Sequence, residues 1–581
     1  VLGLLGAPVS KEKDSTMRAP PIEEMPFSAF GSPFAIAMLC GDKAPDGKEG
    51  LYLQSYHGGR QPAIRMTPIR NGKPVAATLR RDYALLHLSD TKGGSIDCCF
   101  DGPRTLRVRG RGGLGLRLEH FTWGPMFATS DRLVTMTINI LRRYQIERLA
   151  GAFKADGLWT GMNPSGKMIV DAIGAGAKGR SGWEIAIDEY WSTWTPRKRA
   201  SFRDCVAASR KHFERWLADA PPAPERLANT RRNAAYLNWS CVVEPGGFMR
   251  RPYMLMSKNW MCNVWSWDHC FNAIALAAGR ADLAWDQLLL MADHQDEFGA
   301  YPDAINDMYI TYNYSKPPVH GWATTEVLRR NPGAGTAPRL RAMYASLERW
   351  THWWLTYRRF PGQTLPYYLH GNDSGWDNST MFDQGVPLKG PDLAAMLVLQ
   401  MEALADIASR LKRPADAARW RRRAAAMLKA LMTELWQGNH FVARLARTGQ
   451  AVESRSLIPC MPILLGERLP MPVIDSLARR IEESLTEYGP ATEQPTSPKY
   501  TADGYWRGPI WGPSTYLVVC GLERAGRAEL ALTIAERYCR LCAQSGFAEN
   551  FNALTGAPLR DPAYTWTSSV FLLLAEKLRR K

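Results

Sequence analysis

Two carboxylates stand out for their company. Asp377 lies in Gly371-Asn-Asp-Ser-Gly-Trp-Asp-Asn-Ser379, and Glu549 opens Glu549-Asn-Phe-Asn-Ala-Leu-Thr-Gly556. Related aromatic-rich segments are Asn263-Val-Trp-Ser-Trp-Asp-His-Cys-Phe-Asn272, Tyr505-Trp-Arg-Gly-Pro-Ile-Trp511 and Tyr564-Thr-Trp566. Indole faces beside amides and carboxylates suit pyranose rings, whose C–H faces pack on the ring while their hydroxyls need fixed donors and acceptors. Cleaving a glycosidic bond with inversion needs an acid for the leaving oxygen and a base for water on the opposite face, roughly 6.5–9.5 Å apart. Asp377 and Glu549 are the candidate pair. Alone, an Asp before Asn-Ser reads equally as a helix cap; pairing across two segments gives it weight. Trp350, Trp353 and Trp354 lie inside a helical stretch and read as core.

The elements that must position these residues fall into two halves. From about Phe34 to Trp194 apolar and polar residues alternate, as in Val134, Met136, Ile138 and Ile140 or Trp183, Ile185 and Ile187. Period two over many short segments predicts an antiparallel β-sandwich, assigned to residues 1–203. A helical stretch, Asp204–Ala218, and the Ala-Pro-Pro-Ala-Pro run at 220–224 make a linker over 204–227. From 228 to 581 twelve helices are expected, starting near 228, 266, 281, 319, 338, 391, 415, 454, 473, 512, 527 and 565. Gly- or Pro-bearing short links at Ala278–Asp282, Asn331–Pro338, Leu411–Asp416, Gly466–Pro472 and Glu523–Glu529 alternate with long connections. That rhythm predicts an (α/α)6 barrel with its long loops, and hence one cleft, at a single end.

Composition narrows the classes. The 581 residues are 45% hydrophobic and 22% charged, near the globular average, and no run of about 18 apolar residues would span a bilayer. The opening VLGLLGAPVS lacks a basic segment before it and carries no structural weight. The +17 charge is spread along the chain. Clusters such as Arg421–Arg423 and Arg579–Lys581 read as solvated helix faces, and no basic stripe with interleaved aromatics marks a nucleic-acid module. Eleven cysteines, an odd number, fit buried free thiols and a cytoplasmic setting, with the periplasm or secretion left open. Cys539 and Cys542 sit on one helical pattern and read as packing. Gly110-Arg-Gly-Gly-Leu-Gly115 precedes alternating residues and reads as a hairpin turn rather than a dinucleotide site. Absence of HExxH, EF-hand and P-loop patterns leaves no metal and no cofactor expected.

The second half, about 230–581, resembles glycoside hydrolase family 63, the group of processing α-glucosidases and mannosylglycerate hydrolases. The likeness rests on Ser-Gly-Trp-Asp-Asn-Ser at 374–379, the segments at 505–511, 549–556 and 564–568, and Lys-Pro-Pro-Val-His-Gly-Trp at 316–322. It implies an inverting enzyme with Asp377 as general acid and Glu549 as general base. Trp267, Asp268, Trp376, Asn378, Tyr505, Trp506, Arg507, Trp511 and Trp566 would line the sugar subsite. Trp322 is a further candidate sugar contact, and His320 beside it reads equally as a sugar contact or a structural histidine. Asp373 stands where the family often has Glu, a change expected to alter a substrate contact. The implied activity is exo-hydrolysis of a short α-glucoside, a small carbohydrate, with neither nucleic acid nor membrane as partner. Alternatives are a trehalase or a glycosyl-glycerate hydrolase, a phosphorylase or polysaccharide lyase on the same barrel, or a sugar-binding protein without turnover. Mannosylglycerate hydrolases usually lack a large β domain, and trehalases usually read Gln-Trp-Asp-Tyr-Pro-Asn-Gly-Trp where this chain has Tyr505–Trp511.

Overall fold

The computed structural model describes residues 19–45, 47–120, 124–138, 142–161, 168–174 and 181–580. The opening decapeptide, Ile140 and Lys581 lie outside them. Alternation becomes two antiparallel sheets. One runs, in spatial order, through Phe34–Leu39, Gly50–Ser55, Gln61–Arg70, Gly115–His120, Met168–Ile173 and Ala152–Asp156. The other runs through Met126–Ser130, Leu133–Ile138, Arg142–Ala150, Trp183–Tyr190, Thr105–Arg111, Ser95–Phe100, Leu86–Ser89 and Thr78–Arg81. Leu116 and Ile64 of the first meet Val108, Ile146 and Ile187 of the second in one apolar core, as period-two strands with one buried face require. The glycine run at 110–115 is a turn, but not of a hairpin: it joins Thr105–Arg111 of one sheet to Gly115–His120 of the other.

Helix α1 (Phe202–Asp219) begins at Ser201, whose side chain accepts the Asp204 N–H, a standard N-cap. It packs on α2 (Ala228–Cys241) and on the strand Ser95–Phe100. Then follow α3 (Asp268–Leu276), α4 (Ala281–Leu289), α5 (His320–Arg330), α6 (Ala337–Tyr357), α7 (Pro391–Arg410) and α8 (Pro414–Ala430). After a 3-10 helix at Ile458–Arg468 come α9 (Met471–Glu483), α10 (Gly512–Arg524), α11 (Ala528–Ser545) and α12 (Thr565–Lys577). Neighbour contacts close a ring: α3 touches α5, α5 touches α7, α7 touches the 3-10 helix, which touches α10, then α12, then α3 again. The outer helices α2, α4, α6, α8, α9 and α11 pack against that ring. Inner α7 is buried on nearly every side, whereas outer α9 buries Val473, Ile474, Leu477 and Ile481 at helical spacing, the difference between a surrounded and a one-faced helix.

Two expected boundaries move. The helix expected from 266 begins at Asp268, because Val264–Trp265 pairs with Ala304–Ile305 as a short ladder. The one expected from 454 begins at Ile458 and is 3-10; Pro459 sits in its first turn, where no N–H is needed, and Pro462 removes an N–H that an α-helix would use. Every inner helix starts where a long loop ends, so all six N-termini point to the same end of the ring. Ten of the eleven cysteines are buried and all are free. Among the described residues no helix is long and apolar enough to cross a membrane.

Candidate active site

Asp377 reaches the centre through a tight loop. Gly375 adopts φ +76°, and a Cβ there would stand 2.7 Å from the Trp267 ring, which is why glycine precedes Trp376. A Cβ at Gly371 would meet the Asp377 carbonyl at 2.0 Å. Asn378 ties this loop to the one after α9: its Nδ2 donates to the Gly504 carbonyl (3.0 Å) and its Oδ1 accepts from Trp506 N–H (3.0 Å). Arg507 donates to the Asn378 carbonyl (2.8 Å) and pairs with Asp383. These two predicted contacts therefore lock the loop that carries Asp377.

Glu549 stands just before the short strand Asn550–Phe551 and is nearly buried, 3% exposed. Tyr505 Oη donates to its Oε1 (3.2 Å). Tyr505 itself holds φ +63°, a left-handed backbone unusual for a non-glycine residue and a form of local strain that collects at functional sites. Burial, reinforced by the Asp561 charge, pushes Glu549 up to about 8. Asp268, first residue of α3, is pushed up to about 7 by burial, while Lys316 and the Tyr564 hydroxyl (3.0 Å) pull it down. Asp377 is raised by burial and held back by Lys316, whose Nζ lies 3.6 Å from its Oδ1.

The structure thus brings Asp268, Asp377, Glu549 and Tyr505 into one electrostatic unit: Asp377 acts on Asp268 and Tyr505, and Asp268 acts on Glu549. Protons in such a unit belong to the group rather than to one member. A cation sits inside it. Lys316, buried, lies 3.4 Å from Asp303 and donates to the Asn372 carbonyl (3.2 Å). Sequence reasoning passed over Lys316, Asp303 and Asp561; a lysine before two prolines in a long loop was the available signal, since a buried cation must face carboxylates. Asp377 thus faces a cation, Lys316, as well as the carboxyl of Asp268.

The loop tryptophans pack on one another. Trp506 stacks on Trp511 (4.0 Å between centroids, 6° between planes), Trp376 lies 4.8 Å from Trp506, and Trp566 meets Trp511 and Trp267 edge-on. All five are buried, so they form the wall behind the carboxylates, with the Trp506 and Trp511 faces committed to each other. Trp322 packs against Phe271 and Tyr516 within the ring. Asp373 is consumed by its own loop: Oδ2 takes Arg358 (2.9 Å) and the Leu369 N–H (2.8 Å), and Oδ1 takes the Ser315 N–H (3.0 Å). Oδ2 is committed to these partners, Oδ1 carries a single hydrogen bond, and the side chain is buried, 1% exposed.

His320, His269 and Cys270 are fully buried with ligand atoms within 4.8 Å of one another, an arrangement that could hold a metal. Burial drives His269 down to about 4, pushes His320 well below the ordinary imidazole range, and raises the Cys270 thiol. Both histidines stand at helix N-termini, where the positive dipole end opposes a cation. A cavity of about 780 Å3 lies beyond Thr380, lined by Arg455, Arg480, Glu483 and Glu493, and contains neither Asp377 nor Glu549.

The model of the mannosylglycerate hydrolase MGH1-like glycoside hydrolase domain matches residues 261–567, the segment spanning Asp268, Asp377 and Glu549. The chain belongs to this family of glycoside hydrolases. Its resemblance to family 63 holds. A glucosylglycerate hydrolase of Mycolicibacterium hassiacum is 24% identical over 53% of this chain and 91% of its own. The family 63 mannosylglycerate hydrolase of Thermus thermophilus, solved with glucose, superposes with a TM-score of 0.52 at 20% identity, over 58% of this chain and 98% of that one. A bacterial glucoamylase solved with acarbose superposes with a TM-score of 0.62 at 13% identity, over 97% of this chain and 94% of that one. These two likenesses show the fold: the barrel in the first, β region and barrel together in the second.

Proposed function

We propose that this glycoside hydrolase is an inverting, exo-acting enzyme on a short α-glucoside, with Asp377 as general acid and Glu549 as general base. The observation that carries the reading is that these carboxylates, 172 residues apart in the numbering, both act on Tyr505, which donates to Glu549 at 3.2 Å, and are both coupled by charge to Asp268. Asp377 gives its proton to the glycosidic oxygen as the C1–O bond breaks, and the bond electrons leave with that oxygen. Water adds to C1 from the other face and passes a proton to Glu549. Tyr505 holds the Glu549 carboxylate, and the aromatic wall keeps bulk water away, which strengthens every charge interaction inside.

One observation favours a second reading with the roles exchanged. Lys316 beside Asp377 favours a carboxylate there, while Glu549 near 8 keeps its proton at neutral pH. Knockouts separate the two, because a glycosyl fluoride needs no protonation of its leaving group. Under the first reading Asp377→Asn retains fluoride hydrolysis far better than hydrolysis of an alkyl glycoside, and Glu549→Gln loses both; under the second the pattern reverses. Near-normal turnover of an alkyl glycoside by either variant refutes the pair. The anomer of the first-formed sugar, read by NMR, tests inversion.

A further inference from the structure

Among the buried groups that the carboxylate unit does not use, one corner stands apart. It is made by the first turns of α3 and α5, which touch in the inner ring. His269 and Cys270 are the second and third residues of α3, and His320 is the first of α5. All three side chains are buried, and one ligand atom of each lies within 4.8 Å of the others.

The hydrogen bonds show which lone pairs are free. His269 Nδ1 lies 2.9 Å from the Trp265 carbonyl. A carbonyl only accepts, so Nδ1 carries the proton and Nε2 presents its lone pair. That nitrogen stands 3.7 Å from Cys270 Sγ. One ion bound at about 2.3 Å from sulfur and about 2.0–2.1 Å from nitrogen, with tetrahedral angles, separates two such ligands by about 3.6 Å. A carbonyl holding the far ring nitrogen is also how metal-bound imidazoles are oriented. The thiol has a single proton to give. Given to His269, it leaves His320 unserved. The Ser266 backbone is near enough to act on His320, yet neither ring nitrogen of His320 makes a hydrogen bond among the described residues, and the buried Ser266 hydroxyl makes none either. Tyr301 meets His320 edge-on (4.6 Å), but its hydroxyl is paired with Ser346 Oγ (2.7 Å). Buried polar atoms are rarely left without partners. An ion would serve both imidazoles and the sulfur at once. The helix N-termini that oppose a bare cation stabilise a thiolate, and the Cys270 thiolate offsets the charge of the ion it binds.

We propose that His269, Cys270 and His320 bind one thiophilic d10 cation, zinc(II) or copper(I), the ions that suit a thiolate with two imidazoles. The thiol proton passes to solvent as the sulfur–metal bond forms, and no electron is transferred. The role is structural. Asp268 directly precedes His269, and Lys316 lies four residues before His320; both belong to the carboxylate unit. The ion clamps together the two helix starts that deliver them.

The test counts metal rather than turnover, so it stands apart from the glycosidase reading. A closed site fills as the chain folds, so the full chain is expressed in medium supplemented with zinc or with copper, passed over a chelating resin and analysed for bound metal. Wild type should keep one ion per chain from at least one of the two media. Cys270→Ser and His320→Gln should each lose it, whereas Cys262→Ser, which removes a buried thiol outside the cluster, should keep it. Folded wild type without either metal overturns the site, and so does full occupancy in both ligand variants. Should those variants fail to fold, wild type grown with cobalt(II) decides. A thiolate-to-cobalt charge-transfer band is expected, and a cobalt-loaded protein without that band, or one that takes up no cobalt, refutes the assignment.

Discussion

Replacing Lys316 by Met tests the electrostatics of the site directly. Two opposite charges 3.6 Å apart attract by about 4.6 kcal/mol at the effective dielectric constant of about 20 that suits such sites. That corresponds to about 3 pH units of carboxylate titration. The Asp377 side chain is 26% exposed and shares the cation with Asp303, so solvent and sharing reduce the effect, and a rise of at least about one unit is expected. The pH profile of kcat/KM on an unactivated glucoside reads it. Removing a cation raises a carboxylate pKa. If Asp377 is the acid, the limb at high pH moves upward; if it is the base, the limb at low pH does. One mutant thus reports both the coupling and the role. Should neither limb move by more than about 0.3 unit, well below the shift worked from that separation, Lys316 does not govern the pair.

A buried seam between the β region and the barrel makes a stability prediction. There His57 bridges Glu189 of the β region and Asp307, the tip of the hairpin whose strands are Ala304–Ile305 and Ile310–Thr311, and Arg142 reaches Asp307 at 3.1 Å. Burial would lower the pKa of His57, but the Glu189 and Asp307 charges hold it above its ordinary value; burial would raise those carboxyls, and His57 holds them below theirs. The histidine contribution is complete below about 6.5 and fades as pH rises through its raised pKa, while the carboxylate contributions are complete above about 4.5 and fade as pH falls through their lowered ones. His57→Gln should therefore cost about 3–5 kcal/mol near pH 6, with the gap from wild type narrowing toward pH 9 in denaturant melts. Gly371→Ala should displace Asp377 and lower kcat by about 100-fold or more while leaving the far-ultraviolet circular dichroism intact; normal turnover would show that the loop tolerates the shift.

Much of the scaffold is legible in the chain because its signals are local. Glycine and proline mark the short links, and helical or alternating periodicity separates the halves without reference to anything distant. The displaced start near 266 needed information from elsewhere, a strand partner forty residues on for Trp265, whereas the 3-10 form at 458–468 follows from the missing N–H of Pro462, which is local. In the site, Asp377 and Glu549 announce themselves by their neighbours. Lys316, Asp303 and Asp561 do not, because what distinguishes them is burial opposite a group far along the chain. The loop tryptophans show the same limit: adjacency to Asp and Asn suggests open faces, but whether an indole meets sugar or another indole is decided only when loops from different hairpins are folded together.

The hairpin carrying Asp303 at its foot and Asp307 at its crest has a consequence for dissection of the molecule. A barrel cut free at residue 228 would keep Asp307 but lose the imidazole and guanidinium that neutralise it. The stranded anion would seek water, dragging the crest outward, and the foot would follow with its lysine. Grafting this barrel onto another partner would accordingly demand a new counter-ion at that crest before any catalysis could be expected from it.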